Sequence, residues 1–173
     1  DFKLISPYGT IVDLAVSSAF SGAYSLSATV FDDEASTTIG SGSAPYMGSF
    51  QPDGSLSDFD QESMTGTWQL WVYSSNNSTN YNLSITSWSI TVEYNNTTPS
   101  DPPTTSGTSY TGSSFSSSGA GVTTSDLVIS DAGTILDINV ELNATGTYTG
   151  ALSDRDFKLI SPYGTIVDLA VSS

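Results

Sequence analysis

Apolar and polar positions alternate along most of this chain, and they do so in short bursts. Phe2 and Leu4 face one way, with Lys3 and Ile5 opposite. A turn at Ser6-Pro7-Tyr8-Gly9 leads to a second short strand carrying Ile11 and Leu14. Tyr24, Leu26, Ala28 and Val30 then fall at period two, which predicts a half-buried strand. Residues 36–66 are rich in Gly and Pro and show no helical period. Trp68, Leu70 and Val72 predict the next inward face, with Gln69, Trp71 and Tyr73 on the outer one. Leu83 and Ile85 alternate on one parity, and Trp88, Ile90, Val92 and Tyr94 on the other. A slip of one residue near Thr86–Ser87 is the mark of a β-bulge. Leu136, Ile138, Val140 and Leu142 alternate strictly with polar neighbours, after a shorter strand at Leu127 and Ile129. Many short strands between turn residues, with no helix pattern, predict an all-β antiparallel sandwich.

Between these patterned stretches, residues 96–108 carry Pro99, Pro102 and Pro103 among hydroxyls and no large apolar side chain. They predict a semi-rigid linker, about 45 Å long at most. The chain's two ends are more unusual. Residues 1–18 and 156–173 are identical, DFKLISPYGTIVDLAVSS in both. One sheet has one place for such a segment, so two copies predict a periodic polypeptide with a repeat of 155 residues. The match extends to Lys3/Lys158, Ser17/Ser172 and Ser18/Ser173, which the alternation places on the surface. An engineered permutant and a subunit carrying a spare strand for exchange are the alternatives. Asp1 falls in mid-pattern, with no initiator Met or signal peptide, so an excised or mature segment is expected.

Composition narrows the function classes. Three Lys and Arg against eighteen Asp and Glu give a formal charge of −15. Phosphate binding needs cations, so a nucleic-acid partner is not expected. No apolar run approaches the roughly 20 residues of a membrane span. The acidity and the Ser, Thr, Asn and Gly content suit an extracellular or cell-surface protein, and the absence of Cys does not fix the compartment. With no His and no Cys, no imidazole base or thiol nucleophile exists, and nothing frames a serine. Asp58 and Asp60 stand two apart in a turn-rich loop, a spacing commoner in turns and metal sites than in glycosidase pairs. Enzyme activity is not expected.

Loops dense in carboxylates suit calcium, which takes six to eight oxygen ligands. Asp32, Asp33 and Glu34 form the best cluster, with Asp154 and Asp156 ahead of the duplicated strand. The plain alternative is acids in turns that bind only water. Asn76, Asn77, Asn82, Asn95, Asn96 and Asn143 each begin an N-x-Ser/Thr sequon. Trp71 and Tyr73 are candidate interface residues, for the linker, a neighbouring unit or a sugar ring; burial under a loop is the alternative.

Read from 109 to 155 and then from 1 to 95, the sequence resembles the P-domain of kexin- and subtilisin-type proprotein convertases and of secreted bacterial proteases. The resemblance is carried by Thr147-Tyr148-Thr149-Gly150, Asp154 to Leu159, and Ser161-Pro162-Tyr163-Gly164-Thr165. Phe31-Asp32-Asp33-Glu34-Ala35, Gly48, Phe50, Pro52, Leu56, Phe59, Thr65-Gly66-Thr67-Trp68-x-Leu70 and Trp88-Ser89-Ile90 continue it. The chain departs from the family pattern at Gly146, Gln61 and Ser74, and near Phe115 to Ser117. The resemblance implies a jelly-roll sandwich, often with bound calcium, Asp33 being the leading ligand. It also implies a phase: residues 1–95 are the back of one unit and 109–173 the front of the next. The missing strands would come from a preceding repeat, a neighbour or the same chain folding back. The leading expectation is a structural repeat of a long extracellular fibre, filament or adhesin stalk, with copies of itself as partners and cell surfaces or glycans as further ones. An accessory domain of a secreted protease and a carbohydrate-binding jelly roll are the alternatives.

Overall fold

The computed structural model describes residues 2–15, 25–74, 82–95, 105–147, 155–156, 158–160 and 166–168. Its first hairpin shows how local chemistry sets the register. Strand β1 (Phe2–Ile5) turns into β2 (Ile11–Ala15). The Ser6 hydroxyl accepts the amides of Tyr8 and Thr10 at 3.3 and 3.2 Å. The Ser6 amide donates to the Thr10 carbonyl, and Gly9 takes the positive φ of 96° that the turn requires. The register that results sets Lys3 opposite Asp13, Leu4 opposite Val12 and Ile5 opposite Ile11.

Strands β3 (Ser25–Phe31), β4 (Gly48–Phe50), β5 (Gly66–Ser74) and β6 (Asn82–Asn95) follow. Then come β7 (Thr105–Gly112), β8 (Phe115–Ser118), β9 (Gly121–Ile129) and β10 (Thr134–Gly146). β11 (Arg155–Asp156), β12 (Lys158–Ile160) and β13 (Ile166–Asp168) come last. The described residues contain no α-helix, only 3-10 turns at Ile39–Ser41 and Leu56–Phe59. One sheet runs β2, β1, β5, β9, with β11 beside β5; the other runs β4, β3, β10, β6, with β7 and β8 along β6. Every pairing between these strands is antiparallel except β3 with β4. The protein is a β-sandwich.

Phe2, Leu4, Trp68, Leu70 and Val72 from the first sheet are fully buried, as are Ile90, Val92, Val140 and Leu142 from the second. Each contributes about 1.5–3 kcal/mol by leaving water. Two of the buried tryptophans have partners for their N–H groups. Trp68 Nε1 donates to the Met64 carbonyl, and Trp88 Nε1 to the Ser125 hydroxyl, both at 3.0 Å.

The strands on either side of residues 96–104 interleave in one body. β10 lies between β3 and β6, and β9 pairs with β5. Of the three sources weighed for the missing strands, this chain uses its own. The expected linker is also shorter at its far end. Residues 105–108 belong to β7, and Thr105 lies opposite Asn95. The two ends of the 96–104 connection therefore sit side by side on one sheet and do not separate two bodies.

The slip near Thr86–Ser87 is present. Asn143 faces Ser87, Ala144 faces Ile85, and Thr86 is the extra residue. β3 departs from the expected alternation, for a related reason. Leu142 faces Thr29 while Ala144 faces Leu26, so Ser27 and Ala28 together oppose Asn143. Ala28 takes a φ of 47° there, and the inward face changes parity. Leu26, Thr29 and Phe31 are buried, whereas Ala28 is exposed and Val30 half-buried.

Candidate functional site

The first sheet shows its less usual chemistry on its outer face. Lys3 and Trp71 face each other across β1 and β5, with Asp13 beyond Lys3 on β2. Alternation puts Lys3 outside, and surface exposure was expected. Instead Lys3 is wholly buried, and its Nζ lies 2.8 Å from Asp13 Oδ1. A buried ammonium persists only when paired, and Asp13 supplies the opposite charge. Trp71 and Tyr73 share this face as expected, stacked at 6.0 Å with their planes 20° apart. Trp71 is buried and Tyr73 half-buried. β12 runs close to β1, β5 and β2 at once. A strand near three neighbours of one sheet lies over its face, not along its edge. The second copy of the opening segment thus contributes to covering the first.

The lane beside β5 is shared. β1 pairs with β5 from Phe2 opposite Val72 to Ile5 opposite Gln69. β11 takes the next positions, with Asp156 opposite Tyr73 and Arg155 opposite Ser74. β12 and β13 form a separate two-stranded pairing.

The acidic loop lies near the β3 end of the second sheet. Asp33 accepts the amides of Leu56 and Ser57 and the Ser55 hydroxyl, each at 3.0 Å. Both of its carboxylate oxygens are engaged in fastening the 55–59 turn. Asp32 Oδ1 accepts the Glu34 amide at 2.8 Å. The hydrogen bond to Asp32 is the main cause that raises the Glu34 carboxyl above its usual range, with burial and the Asp137 charge adding to it. Burial is the main cause for Asp137 and Asp60; the charges of Glu93, Asp32 and Asp60 add for the former, and that of Asp33 for the latter. This neighbourhood holds protons more readily than isolated carboxylates do. Among the described residues no three acidic side chains converge as a metal-binding group. Asp154 lies outside the described residues.

Of the sequons, Asn76, Asn77 and Asn96 also lie outside them. Asn143 is not a free acceptor. Its Oδ1 takes the Ala28 amide at 2.6 Å, and its Nδ2 donates to Ser87 Oγ and Glu141 Oε1 at 3.1 Å. It occupies the one position that both bulges oppose. Sequence reading found one bulge through the parity change and had no signal for the other. Compared with models of known protein families, with curated proteins and with solved structures, the chain gives no match.

Proposed function

We propose that the chain is a structural repeat of a long extracellular protein, built from P-domain-like jelly rolls and serving as a fibre, filament or adhesin stalk. The observation that carries this reading is the fit of one period to one sandwich. Residues 2–15 fill the single place for the opening segment, and β3 to β10 supply the rest of both sheets save the two residues of β11 at the edge of β5. Residues 156–173, the identical copy, then begin again. A body nearly complete when its own first segment recurs is what a tandem unit requires. The formal charge of −15 favours separation of units in water, and copies of the chain are its natural partners.

The sugar-binding alternative asks Trp71 or Tyr73 to offer an open ring face; Trp71 is buried, and the half-buried Tyr73 is stacked on it. The deciding measurement is the mass of the native polypeptide under fully denaturing conditions, with electron microscopy of the undenatured material. A product many times the mass of one 173-residue chain, seen as beaded threads, is expected. A single species at the mass of one chain would sink the tandem reading.

A further inference from the structure

The hairpin of β1 and β2 and the pairing of β12 with β13 share one sequence and one register. Lys158 faces Asp168, Leu159 faces Val167 and Ile160 faces Ile166. Each is the counterpart of a pair in the first copy. Hairpin register follows from the turn and the apolar pattern. The second copy is therefore already shaped for any place that the first can fill.

The approach to that place is aligned as well. β11 and β1 lie along the same edge of β5, end to end. In the register of β1, the position opposite Tyr73 belongs to the residue before Phe2, which is Asp1. The residue found there is Asp156, the copy of Asp1. A strand continued from Arg155 through the second copy would pair with β5 with no shift. A slip of a single residue would have turned every side chain to the wrong face.

We propose that residues 156–168 are an alternative occupant of the slot filled by β1 and β2, entering from β11 of the same chain in the register now held by the first copy. The two hairpins make the same contacts once inside, so connection alone decides between them. The first is tied forward to β3, the second back to β10. In an array, the second copy is the beginning of the following unit. Its entry into the preceding slot threads each sandwich with the hairpin of the next and locks neighbours together. The proposal stands on register and does not depend on the native protein being an array.

The test uses the full chain with substitutions in one copy at a time. Leu4 and Val12 are buried, so an aspartate at either evicts the first copy from the slot. Leu159 is the counterpart of Leu4. The Leu4→Asp chain is expected to remain a monomer by light scattering and to melt within about 5 °C of the unaltered chain. Adding Val12→Asp to it changes the melt no further, because both residues lie on the evicted copy. Leu159→Asp alone stays in the same window. The Leu4→Asp/Leu159→Asp chain loses its cooperative melt, a non-additivity that only a shared slot produces. If Leu4→Asp alone melts like the double variant, the second copy cannot enter and the proposal is overturned. A Leu4→Asp chain that folds only as a dimer or larger overturns the in-chain route. A native polypeptide of one chain's mass would remove the array and leave these melts unchanged.

Discussion

Asn143 shows how much of this sandwich depends on one amide. Two strands bulge against it from opposite sides, and its three side-chain hydrogen bonds hold both irregularities in place. Its backbone carbonyl also accepts the Thr86 hydroxyl at 3.1 Å. Asn143→Ala removes the acceptor for the Ala28 amide where Ala28 is held at positive φ. The expected loss is about 2 kcal/mol of unfolding free energy, read as a lower urea midpoint at unchanged slope. Sequence alone marked this residue as a glycosylation acceptor, since the motif is local and the bulges are not. Asp33 illustrates the same limit. A carboxylate in a loop accepts amide hydrogens as readily as it binds a cation, and only the position of Leu56, Ser57 and Ser55 distinguishes the two uses.

At the scale of elements, legibility follows burial. The strands with one apolar face, β5, β6 and most of β10, were evident from alternation, and so was the bulge at Thr86, because the apolar parity changes across it. At the start of β10 the alternation misplaced Leu136, which is skipped at a register shift and half-buried while Ile135 is buried. β3 misled because Leu26, Ala28 and Val30 alternate as though unbroken. Its true inward set includes Thr29, which is acceptable inside because its hydroxyl donates to the Tyr46 carbonyl. β7 left a single apolar trace, Tyr110. Its Thr, Ser and Gly residues join β6 through backbone pairing along the sheet's edge, and residues of that kind also read as a linker. Its two glycines separate packing from propensity. A methyl group at Gly112 would collide with the Trp88 indole, whereas Gly107 has open space around it. Gly112→Ala should cost about 1–3 kcal/mol. Gly107→Ala should change stability by less than about 0.5 kcal/mol. Thermal melts of the two variants side by side would check this, and equal midpoints would contradict the packing of Trp88 against β7.

Across the whole molecule, acidity and burial act together. Burial is the leading cause that raises the carboxyls of Asp60, Glu62 and Asp137, and a hydrogen bond to Asp32 is the leading cause for Glu34. An acid raised in the folded state binds its proton more tightly there than in the unfolded chain. Its contribution to stability is full below the ordinary values, 3.8 for Asp and 4.5 for Glu. It is lost as pH rises through the raised values. Partial protonation also relieves the self-repulsion of a chain at −15. The melting temperature should therefore be higher near pH 5 than near pH 8, and added salt should narrow the gap. A midpoint that falls on this mild acidification would contradict the account.

The shared lane of β11 and β1 has a consequence for inheritance. In an array of such periods, the gene carries the same eighteen codon positions once per unit, a natural place for misaligned crossover. The exchange would remove or insert 155 residues at a time. Because Asp156 stands in the sheet where Asp1 would stand, the joint formed by each event falls inside a strand that is already in register. Were the chain a period of such an array, the length of the protein would drift in steps of one whole sandwich.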